Sequence, residues 1–394
     1  MAFGESEMSF STLSAIEHPE LLVYRNEFPI LQQKTYLNSC SLGAISQRSL
    51  QGMAQFMMGN EWERWLYEIS QVKKRFATII GAQPHEIAIA PSVSGALSSI
   101  ASALDYRQRH KVIMSDLDFP TLPYQWLVKE RLGVSCKFVE SPDGIGIPAE
   151  LFAKQVDQQT ALVATSRVFY TSGYVQDIPL LADIAHQQGA YLLVDDYQGT
   201  GQLPINVKAM KCDFLVSGGL KWLMGGPGLA FVYIREELIP SLEPTMTGWF
   251  GHNHQFGFDV REFAFRQDAA RIETGTPAMA AVYAANGGLE IALQAGIEQI
   301  SERTRYLTDD LIARASAHGW NVRISEQPER RSAIVTLGME QPQKIVQELA
   351  QRKIVIDSYP GVLRISPYFY NTVEENAAVV AAIAEIIEHD QQRN

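Results

Sequence analysis

The chain has 394 residues, 46% hydrophobic and 20% charged; this is the balance of an ordinary globular protein, and it is too long for one small core, so two domains, or one large and one small, are expected. A formal net charge of −11 disfavours a nucleic-acid partner, because phosphate backbones select basic faces, but it leaves room for a local basic pocket. Cys40, Cys136 and Cys212 are scattered, with no CxxC and no metal-ligand spacing, no apolar run is long enough to span a bilayer, and Met1 is followed by polar and acidic residues rather than a secretory signal, so reduced thiols, no metal, no membrane association and a cytoplasmic location are expected.

In chain order, residues 1–16 are Ser- and Glu-rich and are expected to be frayed or wrapped on a partner, within an N-terminal extension over 1–34. A mildly amphipathic stretch follows at 20–28, then a short strand and turn at Thr35-Tyr-Leu-Asn-Ser-Cys-Ser-Leu-Gly43, and a helix over 46–73 that carries Trp62 and Trp65. Residues 86–90 alternate as a strand, and Pro91-Ser-Val-Ser-Gly95 opens a helix over 96–104. Amide groups at such a helix start suit a phosphate, and the hydroxyls of Ser92 and Ser94 add donors, although Ser at an N-cap is commonplace. Strands are expected at 111–114, 135–140 and 160–168, with Phe119-Pro-Thr121 after the first of them, and a helix at 178–189. The run Tyr191-Leu-Leu-Val194 ends on the pair Asp195-Asp196, and Phe214-Leu-Val216 leads through Ser217-Gly-Gly219 to Lys221, before a glycine hairpin at 225–228 and a strand at 229–234. Two helices at 279–294 and 296–318 precede strands at 333–336, 354–356 and 362–366 and helices at 342–352 and 374–389.

A carboxylate and a lysine at neighbouring strand ends are what pyridoxal phosphate (PLP) needs. The lysine amine holds the aldehyde as a Schiff base, and the carboxylate keeps the pyridine nitrogen protonated. Spacing alone leaves other readings open, an acid that caps a turn and a lysine that is solvated.

Asp195-x-x-Gln198, Ser217-Gly-Gly-Leu-Lys221-Trp-Leu and Gly-Gly-Pro-Gly resemble the class V aminotransferase family of fold-type I PLP enzymes, which also includes cysteine desulfurases, kynureninases and isopenicillin-N epimerases. The resemblance runs from about residue 35 to 375. It implies an α/β fold: a large PLP-binding domain over 35–275 with a mostly parallel seven-stranded sheet, and a linker helix with a small α/β C-terminal domain over 276–394.

Residue by residue, the resemblance implies that Lys221 is catalytic, that Asp195 meets the pyridine nitrogen while Asp196 faces solvent or caps the turn, and that Gln198 donates to the cofactor's 3′-oxygen. Phe119 would stack on the ring, Val93, through its amide, and Ser94 would take the phosphate, and Ser217 belongs to the same cofactor set. Arg364, in Arg-Ile-Ser-Pro-Tyr-Phe-Tyr-Asn-Thr372, would grip the substrate carboxylate with its planar fork. Ser41 is a second carboxylate contact or part of a plain strand-to-helix turn. Thr247-Gly-Trp-Phe-Gly-His252 and Arg271-Ile-Glu-Thr-Gly-Thr276-Pro277 are similar to kynureninase strings whose Trp and Thr reach the neighbouring subunit's cofactor, so Trp249 and Thr276 imply a homodimer with shared active sites.

The departures from the family's patterns narrow the reaction. No Cys lies in 354–361, where a desulfurase carries its nucleophile. Leu220 stands where kynureninases have Tyr, Gln198 where they have His, Tyr170 where relatives have a substrate-contacting Asn, and Gly59-Asn60 where a Gly-His pair is expected. The expectation is a PLP enzyme on an α-amino acid that removes the Cα proton and then cleaves a Cβ bond, kynureninase-like or C–S lyase-like. The alternatives are a class V aminotransferase or an amino-acid epimerase.

Overall fold

A computed structural model describes residues 16–59 and 61–393. The segment 1–15 and Asn60 of the Gly59-Asn60 pair lie outside the described residues. The strands, in chain order, are β1 (Thr35–Tyr36), β2 (Ile87–Ala90), β3 (Lys111–Ser115), β4 (Ser135–Val139), β5 (Thr160–Ser166), β6 (Tyr191–Asp195), β7 (Phe214–Gly218), β8 (Ala230–Ile234), β9 (Asn321–Val322), β10 (Val335–Gly338), β11 (Ile354–Val355), β12 (Asp357–Tyr359) and β13 (Val362–Ile365).

The central sheet has seven strands in the order β2-β8-β7-β6-β5-β3-β4. The run β4, β3, β5, β6, β7 is parallel, and β8 and β2 are antiparallel to their neighbours. Strands β5, β7 and β8 are buried along their whole length. That explains their continuous apolar runs, because helices cover both faces of a parallel sheet and leave no residue facing water. The helix Ile178–Gln187 returns the chain from β5 to β6; Asp177 caps it by accepting the Leu180 N–H, and Gly189 at φ 70° turns the chain out of it. Two apolar clusters fill the two sides of the sheet.

A second, four-stranded antiparallel sheet, β12-β13-β10-β9, carries a third cluster together with the helices Pro342–Gln351 and Val373–Arg393. The N-terminal segment is sewn onto this C-terminal part, because β1 pairs in parallel with β11.

Two expected elements differ. The single helix over 46–73 is two helices, Gln47–Met58 and Trp62–Ile80, broken at Gly59, whose extended backbone (φ −154°, ψ 118°) ends the first. The strand expected at 333–336 is β10, shifted two residues towards Gly338 by its register with β13.

Candidate active site

Asp195 is the last residue of β6, and Lys221 lies just beyond the end of the adjacent β7. The carboxyl ends of neighbouring parallel strands therefore bring a buried acid and a buried amine into one cavity of about 390 Å³. The Lys221 Nζ lies 4.3 Å from the centroid of the Tyr197 ring and 5.9 Å from that of Phe119. Burial pushes the Lys221 amine below the ordinary lysine range, and the Asp195 carboxylate opposes that shift. Burial likewise raises the Asp195 carboxyl; the Tyr197 N–H, donated to Oδ1 at 3.0 Å, and the Lys221 charge oppose it. Burial therefore moves the two pKa values towards each other.

The turn before the first helix closes against this lysine. Gly43 donates its N–H to the Leu220 carbonyl at 2.9 Å. A Cβ on Gly43 would stand 1.8 Å from the Lys221 carbonyl oxygen, so only glycine lets the Ser41-Leu42-Gly43 turn approach. Ser41 and Cys40 line the cavity beside it.

The 11-residue helix Val93–Ala103 starts at the wall of the same cavity. Ser92 caps it by accepting the Gly95 N–H at 3.1 Å, and the Ser94 and Thr121 hydroxyls meet at 2.5 Å. The first-turn N–H groups of a helix have no partner within it, so Val93 and Ser94 offer amides, and Ser94 and Thr121 hydroxyls, to an anion. Phe119 forms a side wall, 43% exposed to the cavity mouth and edge-on to Tyr170 at 5.2 Å. It is placed by Asp118, a buried acid that the sequence reading passed over. Asp118 accepts the Ser115 N–H and Oγ at 2.8 Å and the Ser166 N–H at 2.7 Å, tying the ends of β3 and β5 together.

Gln198 donates Nε2–H to the Cys40 carbonyl at 2.9 Å and accepts the Trp222 indole N–H at 3.0 Å, which leaves one amide hydrogen for a ligand. Arg364 is buried on β13 and lines the same cavity. It donates Nη1–H to the Tyr170 carbonyl at 2.8 Å and Nη2–H to Asp357 Oδ2 at 2.6 Å, and its guanidinium lies 4.6 Å over the Tyr359 ring. Its Nε is buried without a partner. Asp357, Tyr170 and Tyr359 were not expected around it; Asp357 faces Arg364 only through the β12–β13 register.

Three expected site residues lie elsewhere. Ser217 is buried, donates its hydroxyl to the Asp196 carbonyl at 3.4 Å, and does not line the cavity. Trp249 packs edge-to-face on Trp62, Phe250 and Phe256, and Thr276 is exposed; neither lines this chain's cavity. Asp196 is also corrected. It is fully buried, not solvent-facing, and takes Arg167 Nε and Nη2 at 2.7 and 3.0 Å and the Thr200 hydroxyl at 2.6 Å.

The donor set fits pyridoxal phosphate: an amine held below its usual pKa, a buried carboxylate, an aromatic wall, and a hydroxyl-lined helix start, all on one cavity. No group of three or more His, Cys, Asp or Glu among the described residues is arranged to hold a metal ion, and no helix among them is long and apolar enough to cross a membrane.

Comparisons with known proteins point the same way. Residues 48–379 match the Aminotransferase class-V family. The uncharacterized aminotransferase YcbU of Bacillus subtilis (strain 168) is 35% identical over 366 residues, which are 92% of this chain and 96% of that protein. The kynureninase of Geobacillus thermodenitrificans (strain NG80-2) is 26% identical over 397 residues, 94% of this chain and 92% of that one. Among solved structures, the apo cysteine desulfurase from Thermococcus onnurineus NA1 superposes with a TM-score of 0.86 at 20% identity, over 96% of this chain and all (100%) of that one. That identity carries the fold alone, but the family match spans most of the chain: the protein belongs to the class V aminotransferase family and is a PLP-dependent enzyme of mixed α/β fold.

Proposed function

We propose that this enzyme removes the Cα proton of an α-amino acid with the Lys221 amine and then cleaves a bond at Cβ, as a lyase. When bound, pyridoxal phosphate supplies an aldehyde carbon that condenses with an amine and a conjugated ring that takes up the electron pair of a Cα bond. The observation that carries the proton step is the burial of Lys221 beside Asp195. A lysine held below its ordinary pKa carries a larger share of free amine near neutral pH, which favours a role as base, and the buried carboxylate stabilises positive charge placed opposite it. Val93 and Ser94, with Thr121, take the phosphate; Phe119 fixes the ring plane; Gln198 gives its remaining amide hydrogen to the 3′-oxygen. Ser41 and the free N–H groups of Arg364 hold the substrate carboxylate, so the Cα–H bond is presented to Lys221.

Cleavage at Cβ needs a proton for the leaving group. The phenols of Tyr170 and Tyr359 line the cavity, and burial raises both. Both are therefore protonated at neutral pH and able to donate. Cysteine-persulfide chemistry of the desulfurase type is not part of this reading, because residues 354–361 form short strands without a cysteine.

A second reading, an aminotransferase, is favoured by the name of the 35%-identical relative. The two separate on stoichiometry. PLP-loaded enzyme given a single amino acid and no keto acid should release many equivalents of cleaved product per site. One equivalent per site, with further turnover only after a keto acid is added, would replace the lyase with the aminotransferase.

We also infer a homodimer in which Trp249 and Thr276 serve the neighbouring cavity. The exposed Thr276 and the surface aromatics Trp62 (46% exposed) and Phe256 (48%) around Trp249 support it.

A further inference from the structure

Behind Tyr170 and Tyr359 lies a second cavity of about 270 Å³, and these two tyrosines line both it and the reaction cavity. Its polar lining is uneven. Ser172 donates to the Ile145 carbonyl at 2.6 Å, and Thr336 donates to the Arg323 carbonyl at 2.5 Å. Thr171 Oγ1, in contrast, is buried with no partner. Arg323 forms no side-chain ion pair or hydrogen bond with any described residue, although its guanidinium is held close to the backbone, 3.3 Å from where a Cβ on Gly144 would stand. The neighbouring carboxylate, Asp143, turns Oδ1 to the loop amides of Ile145 and Gly146 at 2.7 and 3.0 Å and makes no ion pair with Arg323. A buried hydroxyl and a partly buried cation without partners are costly unless something else satisfies them.

The small sheet sets where these groups stand relative to Arg364. Asp357, Arg364 and Thr336 are direct cross-strand partners on β12, β13 and β10, and the next residue in that row is Arg323, whose N–H bonds the Thr336 carbonyl at 2.8 Å. Residues directly opposite in an antiparallel ladder share a face of the sheet. Arg364 and Arg323 are therefore two strands apart on one face, with backbones roughly 10 Å apart. One guanidinium reaches the reaction cavity and the other the cavity behind the tyrosine pair.

We propose that the second cavity is the subsite for the end of the substrate side chain, and that this end is an anion. The substrate class is an α-amino acid of about glutamate length or longer carrying a distal acidic group. The inference rests on the reading that Arg364 takes the α-carboxylate, which the lyase and aminotransferase outcomes share. The Tyr170 and Tyr359 rings, edge-to-face with centroids 5.2 Å apart, form the wall the two cavities share; they part to admit the intervening methylenes, and Arg323 with Thr171 receives the distal oxygens through charge-assisted hydrogen bonds. A neutral side chain of the same length leaves those donors unpaired and is rejected on that account.

Calorimetric titration of the PLP-loaded protein with glutarate and with valerate, acids of equal length with two carboxylates and one, tests this without turnover. Glutarate should bind at least tenfold tighter than valerate. Arg323→Gln should bring that ratio close to one, Arg323→Lys should restore part of it, and Thr171→Val should reduce it. Equal binding of the two acids, or a preference retained in Arg323→Gln, overturns the proposal. Inorganic phosphate that binds through Arg323 without competing with glutarate also overturns it, assigning the subsite to a free anion. Failure of the underlying reading looks different: both acids would then bind unchanged in Arg364→Gln.

Discussion

Lys221 and Asp195 are coupled through charge, and the coupling has a sign that can be measured. Burial lowers the Lys221 pKa and the Asp195 carboxylate raises it. The rate at which cofactor-free protein takes up PLP should therefore rise with pH through a midpoint below the ordinary lysine range and then level off. Asp195→Asn removes the charge that holds the proton on Lys221, so the midpoint should move to lower pH, while kcat falls by about 10²–10³-fold, the loss seen when a stabilising charge partner is removed. A midpoint that stays put, read by absorbance during reconstitution, would uncouple the pair. At this scale the sequence was informative where chemistry sits at a strand end, as with Asp195 and Lys221. It was misleading for Asp196, because the partner that buries it, Arg167, sits at the end of a neighbouring strand, 29 positions away. Nothing local to the Asp195-Asp196 pair distinguishes the acid that meets a ligand from the acid that meets an arginine.

Among the elements, the turn at 41–43 matters as much as the strands. Its glycine touches the backbone of the segment that carries Lys221, and any side chain there must push the two apart. Gly43→Ala should leave the sheet folded by circular dichroism and lower kcat/KM by about 10²-fold, since an ångström-scale misplacement of a reacting group costs that much. Near-normal kcat/KM would mean that the turn yields without moving Lys221. The central strands were readable because burial on both faces demands continuous apolar runs. The pairing of β1 with β11 was not, because two residues carry no pattern and the partner strand lies near the other end of the chain. The break at Gly59 was hidden for another reason: a glycine inside a helical pattern is tolerated as often as it terminates one.

For the molecule as a whole, the cavity is bounded by both sheets. Asp195 and Lys221 come from the large one, and Arg364 with Tyr359 from the small one. Closing one part on the other sets the distance between the proton acceptor and the carboxylate grip, a relation that no local sequence pattern contains. The proposed homodimer belongs to this scale too. The protein should sediment as a dimer, and Thr276→Ala should weaken PLP binding even though Thr276 lies outside its own chain's cavity. A monomer at micromolar concentration, or unaltered PLP affinity in Thr276→Ala, would count against shared sites.

The central claim is that Lys221 holds the cofactor. Borohydride reduction of PLP-loaded protein, followed by proteolysis and peptide mass spectrometry, tests it most directly. The expected result is a pyridoxyl phosphate group on the peptide containing Lys221 at close to one per chain, absent in Lys221→Ala. Labelling of another lysine, or undiminished labelling in Lys221→Ala, would contradict the account.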